Sequence, residues 1–338
     1  MPYALMVASI HIVPFAAFNG MQDFLQATHA TLELPGLRSL LTRHTLTPTH
    51  WLHVPEGSFV TPHEQALVQA VWPALAQQAA STEQEAPPVS LAAWTAAQHG
   101  HNIHSQDGWA LMAPAHLHIT TDSISLLDPS GLALSAQDNA ALLQAVQALW
   151  AEDGLTLQAL PNGHWLAKAP WLHGLALPSL DRAINRDVRA WMPELRQTKT
   201  LQRLQTEAQM LLYNHAANDA RTAQGLAPIN ALWVWGTGSI PASPMQTTLQ
   251  IEVHDTLRTA ALRGDYRGWT AAWQTLDQVL LDSVQNAQQN TDSVQWILAG
   301  EQQAVTLSPH TPSWFTRLTQ GWTSWRKSDP VQALLQQL

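Results

Sequence analysis

The segment 207–241 constrains the fold most strongly, because it predicts a helix, a short second helix, a strand and a glycine turn in close succession. The helix that enters it has apolar residues at three- and four-residue steps, namely Leu201, Leu204, Ala208 and Leu211. Ala231–Trp235 is a short apolar run, which is typical of a buried strand. Gly236-Thr237-Gly238 follows at the carboxyl end of that strand, where open α/β sheets place ligands.

Polar residues and glycines of this segment form a candidate ligand site, composed of His215, Asn218, Arg221, Asn230, Gly236 and Gly238. Backbone N–H groups and one arginine can hold a carboxylate or a phosphate without a metal, so the predicted ligand is a small anion. The structural alternative is that Asn218 caps its helix, Asn230 ties the loop and Arg221 pairs with a nearby acid. The sequence leaves both interpretations open.

The same segment resembles the archaeal-type cofactor-independent phosphoglycerate mutases of the alkaline phosphatase superfamily. Their pattern is approximately His-Pro-x-Asn, a basic residue, Gly, Pro-x-Asn and a strand that ends in Gly-x-Gly. Ala216 replaces the proline here, and the matching residues are His215, Asn218, Arg221, Gly225, Pro228, Asn230, Trp233, Trp235, Gly236, Gly238 and Pro241. The chain is still more similar, over most of its length, to a bacterial family that carries two names, phosphoglycerate mutase and Rpf-type regulatory protein.

This resemblance implies an α/β fold with an alkaline-phosphatase-like central sheet, helices on both faces of it and an inserted α+β subdomain. The expected boundaries are a discontinuous core of residues 1–107 and 200–312, an insertion at 108–199 and a C-terminal amphipathic helix at 313–338. The residue pattern changes near Gly108, where the alternation of apolar and polar residues that is typical of a β-hairpin begins.

The chain departs from the mutases at the positions that bind metal and phosphate. The first strand of the family ends in Asp-Gly, whose aspartate binds metal, whereas 9–14 reads SIHIVP here. A later strand ends in a metal-binding Asp-His in the family, and Glu301 is the acid that remains at its tip. Neither of two phosphate-binding arginines of the family's insertion is present. A two-metal phosphotransferase needs several carboxylates and histidines around its ions. The sequence therefore predicts no catalytic residue, no metal ligand and no cofactor.

Histidine pairs occur in several places, including His116 with His118 and His50 with His53. Such pairs suit zinc or nickel, but no third and fourth ligand stands out by spacing. His11 could be a ligand, although a histidine beside a strand end more often bonds a neighbouring backbone group. The resemblance implies a metal-binding histidine before Gly264, where Arg263 stands here and His254 lies farther upstream. The sequence predicts no dedicated metal site and leaves metal binding by the histidine-rich loops open.

Composition excludes several classes of function. The 338 residues contain no cysteine, which excludes disulfides, thiolate nucleophiles and cysteine-ligated metals. The net charge of −9 disfavours nucleic acid as a partner, because that binding needs basic surface. Met1–Phe18 is apolar but lacks a basic region and contains Pro14, so we expect no membrane span and a cytoplasmic, soluble protein.

The leading hypothesis is a catalytically degenerate, phosphoglycerate-mutase-like protein of the bacterial cytoplasm with a regulatory or small-anion-binding role. One alternative is an active metal-dependent phosphomutase or phosphatase that acts on a small phosphorylated metabolite through rebuilt ligands. The other is a protein-interaction module that uses the C-terminal helix, where Trp322 and Trp325 lie close to Arg326. The structural alternative is that the tryptophans of this helix pack against the core of the same protein.

Overall fold

The computed structural model describes residues 7–21, 23–24, 32–45, 51–75, 88–191, 198–246, 249–286, 293–309 and 329–338. Its strands are β1 Val7–Val13, β2 His44–Thr45, β3 Trp51–His53, β4 Trp109–Ala115, β5 Leu117–Ile119, β6 Ile124–Leu126, β7 Thr156–Ala159, β8 Trp165–Lys168, β9 Ala231–Trp235, β10 Gln250–Val253, β11 Ser293–Ala299 and β12 Gln303–Pro309. Its α-helices are α1 Pro35–Arg43, α2 Pro62–Val71, α3 Leu91–Gln98, α4 Ala136–Trp150, α5 Leu180–Ala183, α6 Lys199–Tyr213, α7 Ala216–Ala223, α8 Arg258–Leu262, α9 Tyr266–Asn286 and α10 Pro330–Gln337.

The chain divides into two compact units. Unit 1 contains Met1–Val71 and Gln246–Leu338, and unit 2 is the continuous stretch Trp72–Met245. Unit 2 extends beyond the expected insertion, residues 108–199, in both directions along the sequence. Before that range α3 contacts β4, and after it β9 pairs with β4. The segment 207–241, which the resemblance placed in the core, thus belongs to unit 2.

Unit 1 is built on a mixed six-stranded sheet in the order β10-β1-β11-β12-β2, with β3 also paired to β12. β1 runs parallel to both β10 and β11, whereas β12 is antiparallel to β11. Side chains of a strand alternate between the two faces of a sheet. Ile10 and Ile12 of β1 therefore lie on one face, and His11 and Val13 lie on the other.

Helices cover both faces of this sheet. The face that contains Val13 and Leu298 packs against an aromatic stripe on α9, where Trp269 and Trp273 are 1% and 0% exposed. The same core includes α1 and α10. On the opposite face, α2 contacts β1, β11 and β12. The expected fold class, a central sheet with helices on both faces, is confirmed for this unit.

A buried carboxylate joins α9 to the start of α1. Asp277, which is 4% exposed, accepts one hydrogen bond from the Gly36 N–H at 2.8 Å and one from the Leu37 N–H at 2.7 Å. The first N–H groups of a helix have no partner within the helix, so Asp277 satisfies two of them from another element. Burial raises the pKa of the Asp277 carboxyl, and the two N–H groups oppose that effect.

Replacing Asp277 by alanine is expected to lower the free energy of unfolding by about 3 kcal/mol, because two buried N–H groups lose their acceptor. Urea denaturation of the purified protein measures this change. Asp282→Ala is the matched control, since Asp282 is exposed on the same helix and bonds the Gln278 side chain. The control should unfold at nearly the wild-type midpoint, and an equally small effect of Asp277→Ala would contradict the capping role.

Unit 2 contains a four-stranded sheet in the order β7-β8-β4-β9 and a separate β5-β6 hairpin. All three pairings in the four-stranded sheet are antiparallel. The expectation that β9 ends at the carboxyl edge of an open α/β sheet is therefore wrong. A five-residue apolar run indicates burial, but it does not indicate which strand becomes its neighbour.

The C-terminal helix is described only over α10, and residues 310–328, which include Trp322 and Trp325, lie outside the described residues. Asp329 caps α10 by accepting a hydrogen bond from the Val331 N–H at 3.0 Å. Val331, Leu334 and Leu335 are buried in the core of unit 1. Among the described helices, none is long and apolar enough to cross a membrane.

Candidate functional site

Asn218, a residue of the predicted ligand site, ties three backbone groups together. Its Nδ2 donates to the carbonyl oxygens of Leu212 and Ile229, both at 2.7 Å, and its Oδ1 accepts from the Ile229 N–H at 2.7 Å. Asn218 is 4% exposed. These bonds hold the end of α6 against the residues that precede β9. Both polar atoms of the Asn218 side chain are therefore bonded inside the protein.

The Arg221 guanidinium lies nearby and is also buried, with 2% exposure. Nε donates to the Ala227 carbonyl at 2.9 Å, Nη2 to the Leu132 carbonyl at 2.5 Å and Nη1 to the Ala133 carbonyl at 3.4 Å. The partners are thus carbonyl oxygens, rather than the acid that the structural alternative anticipated. Three of the five guanidinium N–H groups are thus used inside the protein.

Two further residues of the predicted site make local ties. His215 caps α7, because its Nδ1 accepts from the Ala217 N–H at 3.2 Å. The Asn230 side chain bonds the backbone of Leu117 in β5. Its Oδ1 accepts from the Leu117 N–H at 2.7 Å, and its Nδ2 donates to the Leu117 carbonyl at 3.0 Å.

Gly236 and Gly238 lie at the opposite end of β9 from Asn230. A strand rises about 3.3 Å per residue, so about 20 Å separates Asn230 from Gly236. The Gly236 carbonyl accepts from the Ala92 N–H at 2.9 Å, and the Gly238 carbonyl accepts from the Gly174 N–H at 3.1 Å. The structure therefore brings His215, Asn218, Arg221 and Asn230 to one end of β9 and leaves the two glycines at the other.

A different cluster appears on the sheet of unit 1. His11 of β1 lies directly opposite Glu252 of β10 on one side and Trp296 of β11 on the other. His254 follows β10, and its N–H donates to the Ile12 carbonyl at 2.8 Å, which continues the parallel pairing. Residues two apart on a strand share a face. Strand register and period together place all four side chains on one face of the sheet.

The two imidazoles of this cluster form a bonded pair on an indole. His11 Nδ1 lies 2.9 Å from His254 Nε2. The ring planes are 15° apart with centroids 5.2 Å apart, so the rings meet edge to edge. Both rings stack on Trp296, with centroid distances of 4.5 Å for His11 and 5.2 Å for His254. The indole thus holds both imidazoles in nearly one plane.

Glu252 completes the cluster from the solvent side. Its Oε2 lies 3.5 Å from His11 Nδ1, and its Oε1 lies 3.8 Å from His254 Nδ1. The side chains of His11 and His254 are 19% and 9% exposed, whereas that of Glu252 is 63% exposed. Burial lowers the pKa of His11, and His254 lowers it further against the opposing effect of Glu252. Burial also lowers the pKa of His254, against Glu252 and Asp255. Both imidazoles are therefore held towards the neutral form, which is the form that binds metals.

Neither the pairing of His11 with His254 nor the part of Glu252 in this cluster is predicted by the sequence. The available signal was the alternation in β10, where Ile251 and Val253 are apolar and Glu252 and His254 are polar. That pattern shows two polar side chains on one face. It does not show that β1 pairs with this strand, so the third member of the cluster could not be found.

The residues present do not fit the two-metal centre that the resemblance implies. Over the described ranges, His11, Glu252 and His254 are the one group of three or more histidines, cysteines or acids that could hold a metal. The loop after β1, where the family has its metal-binding aspartate, is apolar: Phe15 and Ala16 are 6% and 0% exposed. Its carbonyls accept from Trp269 Nε1 at 2.9 Å and Trp273 Nε1 at 3.1 Å. Two indole N–H groups thus use the carbonyls of Phe15 and Ala16.

No family model matches the chain, and no curated protein matches it. Solved structures do match it. One is the cofactor-independent phosphoglycerate mutase from Thermoplasma acidophilum DSM 1728, with 12% sequence identity, 89% coverage of each chain and a TM-score of 0.34. Another is a protein from Pyrococcus horikoshii, with 10% identity, 90% of this chain and 88% of that chain covered and a TM-score of 0.46. The chain is similar in structure to these proteins; this likeness concerns the fold alone, and membership of the bacterial family with two names stays a prediction.

Proposed function

We propose that this chain is a catalytically degenerate, phosphoglycerate-mutase-like protein that acts by binding, in a regulatory role, rather than by turnover. The proposal rests on the sequence resemblance and on the residues that stand where the chemistry of that family needs ligands. Two-metal phosphoryl transfer requires carboxylates and histidines that surround both ions.

The loop after β1 is the observation that carries this proposal. A metal-binding aspartate in this loop would need space and solvent or ion partners, because an unpaired buried carboxylate is costly. Instead, the loop buries Phe15 and Ala16 and gives its carbonyls to two indole N–H groups. The nearby Glu301 accepts a hydrogen bond from the Asn19 N–H at 3.2 Å. These contacts support a structural use of the segment.

The purified full-length chain is expected to show no interconversion of 2- and 3-phosphoglycerate above the assay background. No release of phosphate from p-nitrophenyl phosphate is expected either, because the described strand ends do not bring together the carboxylates and histidines that two ions need. Both assays are run with Mg²⁺, Mn²⁺ and Zn²⁺ in turn. Turnover that is proportional to enzyme concentration and is removed by a chelator would contradict the proposal.

The second candidate function is a phosphatase or phosphomutase with rebuilt ligands, and the His11, Glu252 and His254 cluster favours it. In that case the turnover should disappear in Glu252→Gln while the protein stays folded, because Glu252 is exposed and the substitution keeps its shape. Turnover that persists in Glu252→Gln would assign the activity to another site or to a contaminant.

A further inference from the structure

We propose that His11, Glu252 and His254 bind one divalent metal ion of the zinc class. The ligand atoms are His11 Nδ1, His254 Nε2 and a carboxylate oxygen of Glu252. Two imidazoles and one carboxylate are a donor set that zinc uses in proteins when a fourth position stays open. The donor atoms of the three residues lie within 4.8 Å of one another. This inference does not depend on whether the chain has lost mutase activity.

The separations of His11 Nδ1 from the other two ligand atoms are close to those of a tetrahedral site. Donors about 2.1 Å from a tetrahedral ion are about 3.4 Å apart. His11 Nδ1 and Glu252 Oε2 are 3.5 Å apart, so this pair already has the required spacing. His11 Nδ1 and His254 Nε2 are 2.9 Å apart and must separate by roughly 0.5 Å as the ion replaces the shared proton. Rotation of the two rings over the face of Trp296 supplies this change.

The remaining nitrogen of His11 has a partner that suits the metal-bound tautomer, whereas that of His254 is too far from Glu252 for a hydrogen bond. His11 Nε2 lies 3.5 Å from Ser9 Oγ, and His254 Nδ1 lies 3.8 Å from Glu252 Oε1. A proton on each of these nitrogens leaves the lone pairs of His11 Nδ1 and His254 Nε2 free for the ion. Such outer partners orient imidazole ligands and tune their basicity.

The donor set also determines which ion fits. Mg²⁺ and Ca²⁺ take mostly oxygen ligands, and this cluster offers one carboxylate. Imidazole nitrogen suits zinc, copper and nickel. Because Glu252 is 63% exposed, the ion is expected to enter from its side. The fourth position is left for water or a small ligand from solvent. The structural alternative is a hydrogen-bonded imidazole pair that only covers Trp296.

Calorimetric titration of the chelator-treated full-length protein with Zn²⁺ tests the proposal. We expect one equivalent of tight binding, and much weaker binding of Mn²⁺. Loss of an outer partner typically weakens metal binding 10- to 100-fold, so loss of a direct ligand should weaken it at least about 100-fold. Glu252→Gln and His254→Ala are the test variants. His118→Ala is the control, because His118 is exposed and belongs to a histidine pair outside the cluster.

Two further measurements separate metal ligation from folding. The metal-free melting temperature of Glu252→Gln should equal that of the wild type, because the side chain is exposed. Co²⁺ in the wild-type site should give the visible absorption of a tetrahedral ion, and Glu252→Gln should lose it. Absence of stoichiometric Zn²⁺ binding, or binding that survives both test variants, would reduce the cluster to a structural histidine pair. Phosphoglycerate turnover is measured separately, so that result bears on the proposed function and not on the metal.

Discussion

Replacing Arg221 by alanine is expected to lower the free energy of unfolding by about 3 to 4 kcal/mol. The substitution removes donors from the carbonyls of Leu132, Ala133 and Ala227 inside the protein. Hydrogen bonds from a charged group contribute about 1.5–3 kcal/mol each, and buried acceptors left without donors add a penalty. Urea denaturation measures the loss. Arg221→Lys should recover only part of it, because an ammonium group lacks the planar fork of donors.

The same residue distinguishes a scaffold from a ligand site. Arg203→Ala is the control, because Arg203 is half exposed and pairs with Glu207 and Asp153 at the surface, where ion pairs contribute little. A thermal-shift screen of phosphorylated three-carbon acids should leave the wild-type melting temperature unchanged. An anion at 100 times its dissociation constant would add about 2.7 kcal/mol of stability. A shift of that size, absent in Arg221→Lys, would establish the anion site predicted from the sequence.

Gly238→Ala is expected to lower the free energy of unfolding by about 3 kcal/mol or more. Gly238 has φ of +148°, and a Cβ there would overlap the Pro88 carbonyl oxygen and lie 2.7 Å from the carbonyl carbon of Val89. Overpacking against backbone costs about 1–3 kcal/mol, and the strained backbone angle adds a similar amount. The residues around Pro88 run beside the glycine turn, since the Ser239 N–H donates to the Pro88 carbonyl at 2.8 Å.

Gly225→Ala is the matched control for this prediction. Gly225 also has a left-handed backbone, with φ of +72°, but nothing lies within 4 Å of the added Cβ. This substitution should therefore cost only about 1 kcal/mol, the conformational penalty of a left-handed residue. Chemical denaturation of both variants measures the difference. Equal losses at the two positions would show that backbone angle, and not the close approach at Gly238, explains the glycine.

Local features of this chain could be predicted from the sequence. Trp269 and Trp273 recur at a four-residue step, and this spacing predicts a helix with an aromatic buried face where the structure has α9. The apolar run at Ala231–Trp235 predicts a buried strand, and the structure has the buried strand β9 there. The partner of β9 could not be predicted, because pairing with β4 depends on contacts between distant residues. The same limit applies to the proposed metal ligands, which come together only through strand register.

The predicted ligand segment illustrates a second limit. Polar residues beside a glycine turn have the same appearance in a sequence whether they face a ligand or a backbone carbonyl. Asn218 and Arg221 are buried and bonded to carbonyls, and these partners come from residues such as Leu132 that no local pattern connects with α7. Burial and the direction of the donors decide between the two uses, and neither quantity is visible in residue spacing.

The position of β1 in its sheet has a consequence for the order of events during protein synthesis. β1 pairs with β10 and β11, and His11 is 243 residues from His254 along the chain. At about 5–20 residues per second, the ribosome needs about 12–50 s to supply the first partner of this strand. Unit 2 is continuous and can complete its own sheet within that interval. The newly made β1 therefore lacks both of its partner strands during that interval, and its two unpaired edges can associate with other chains.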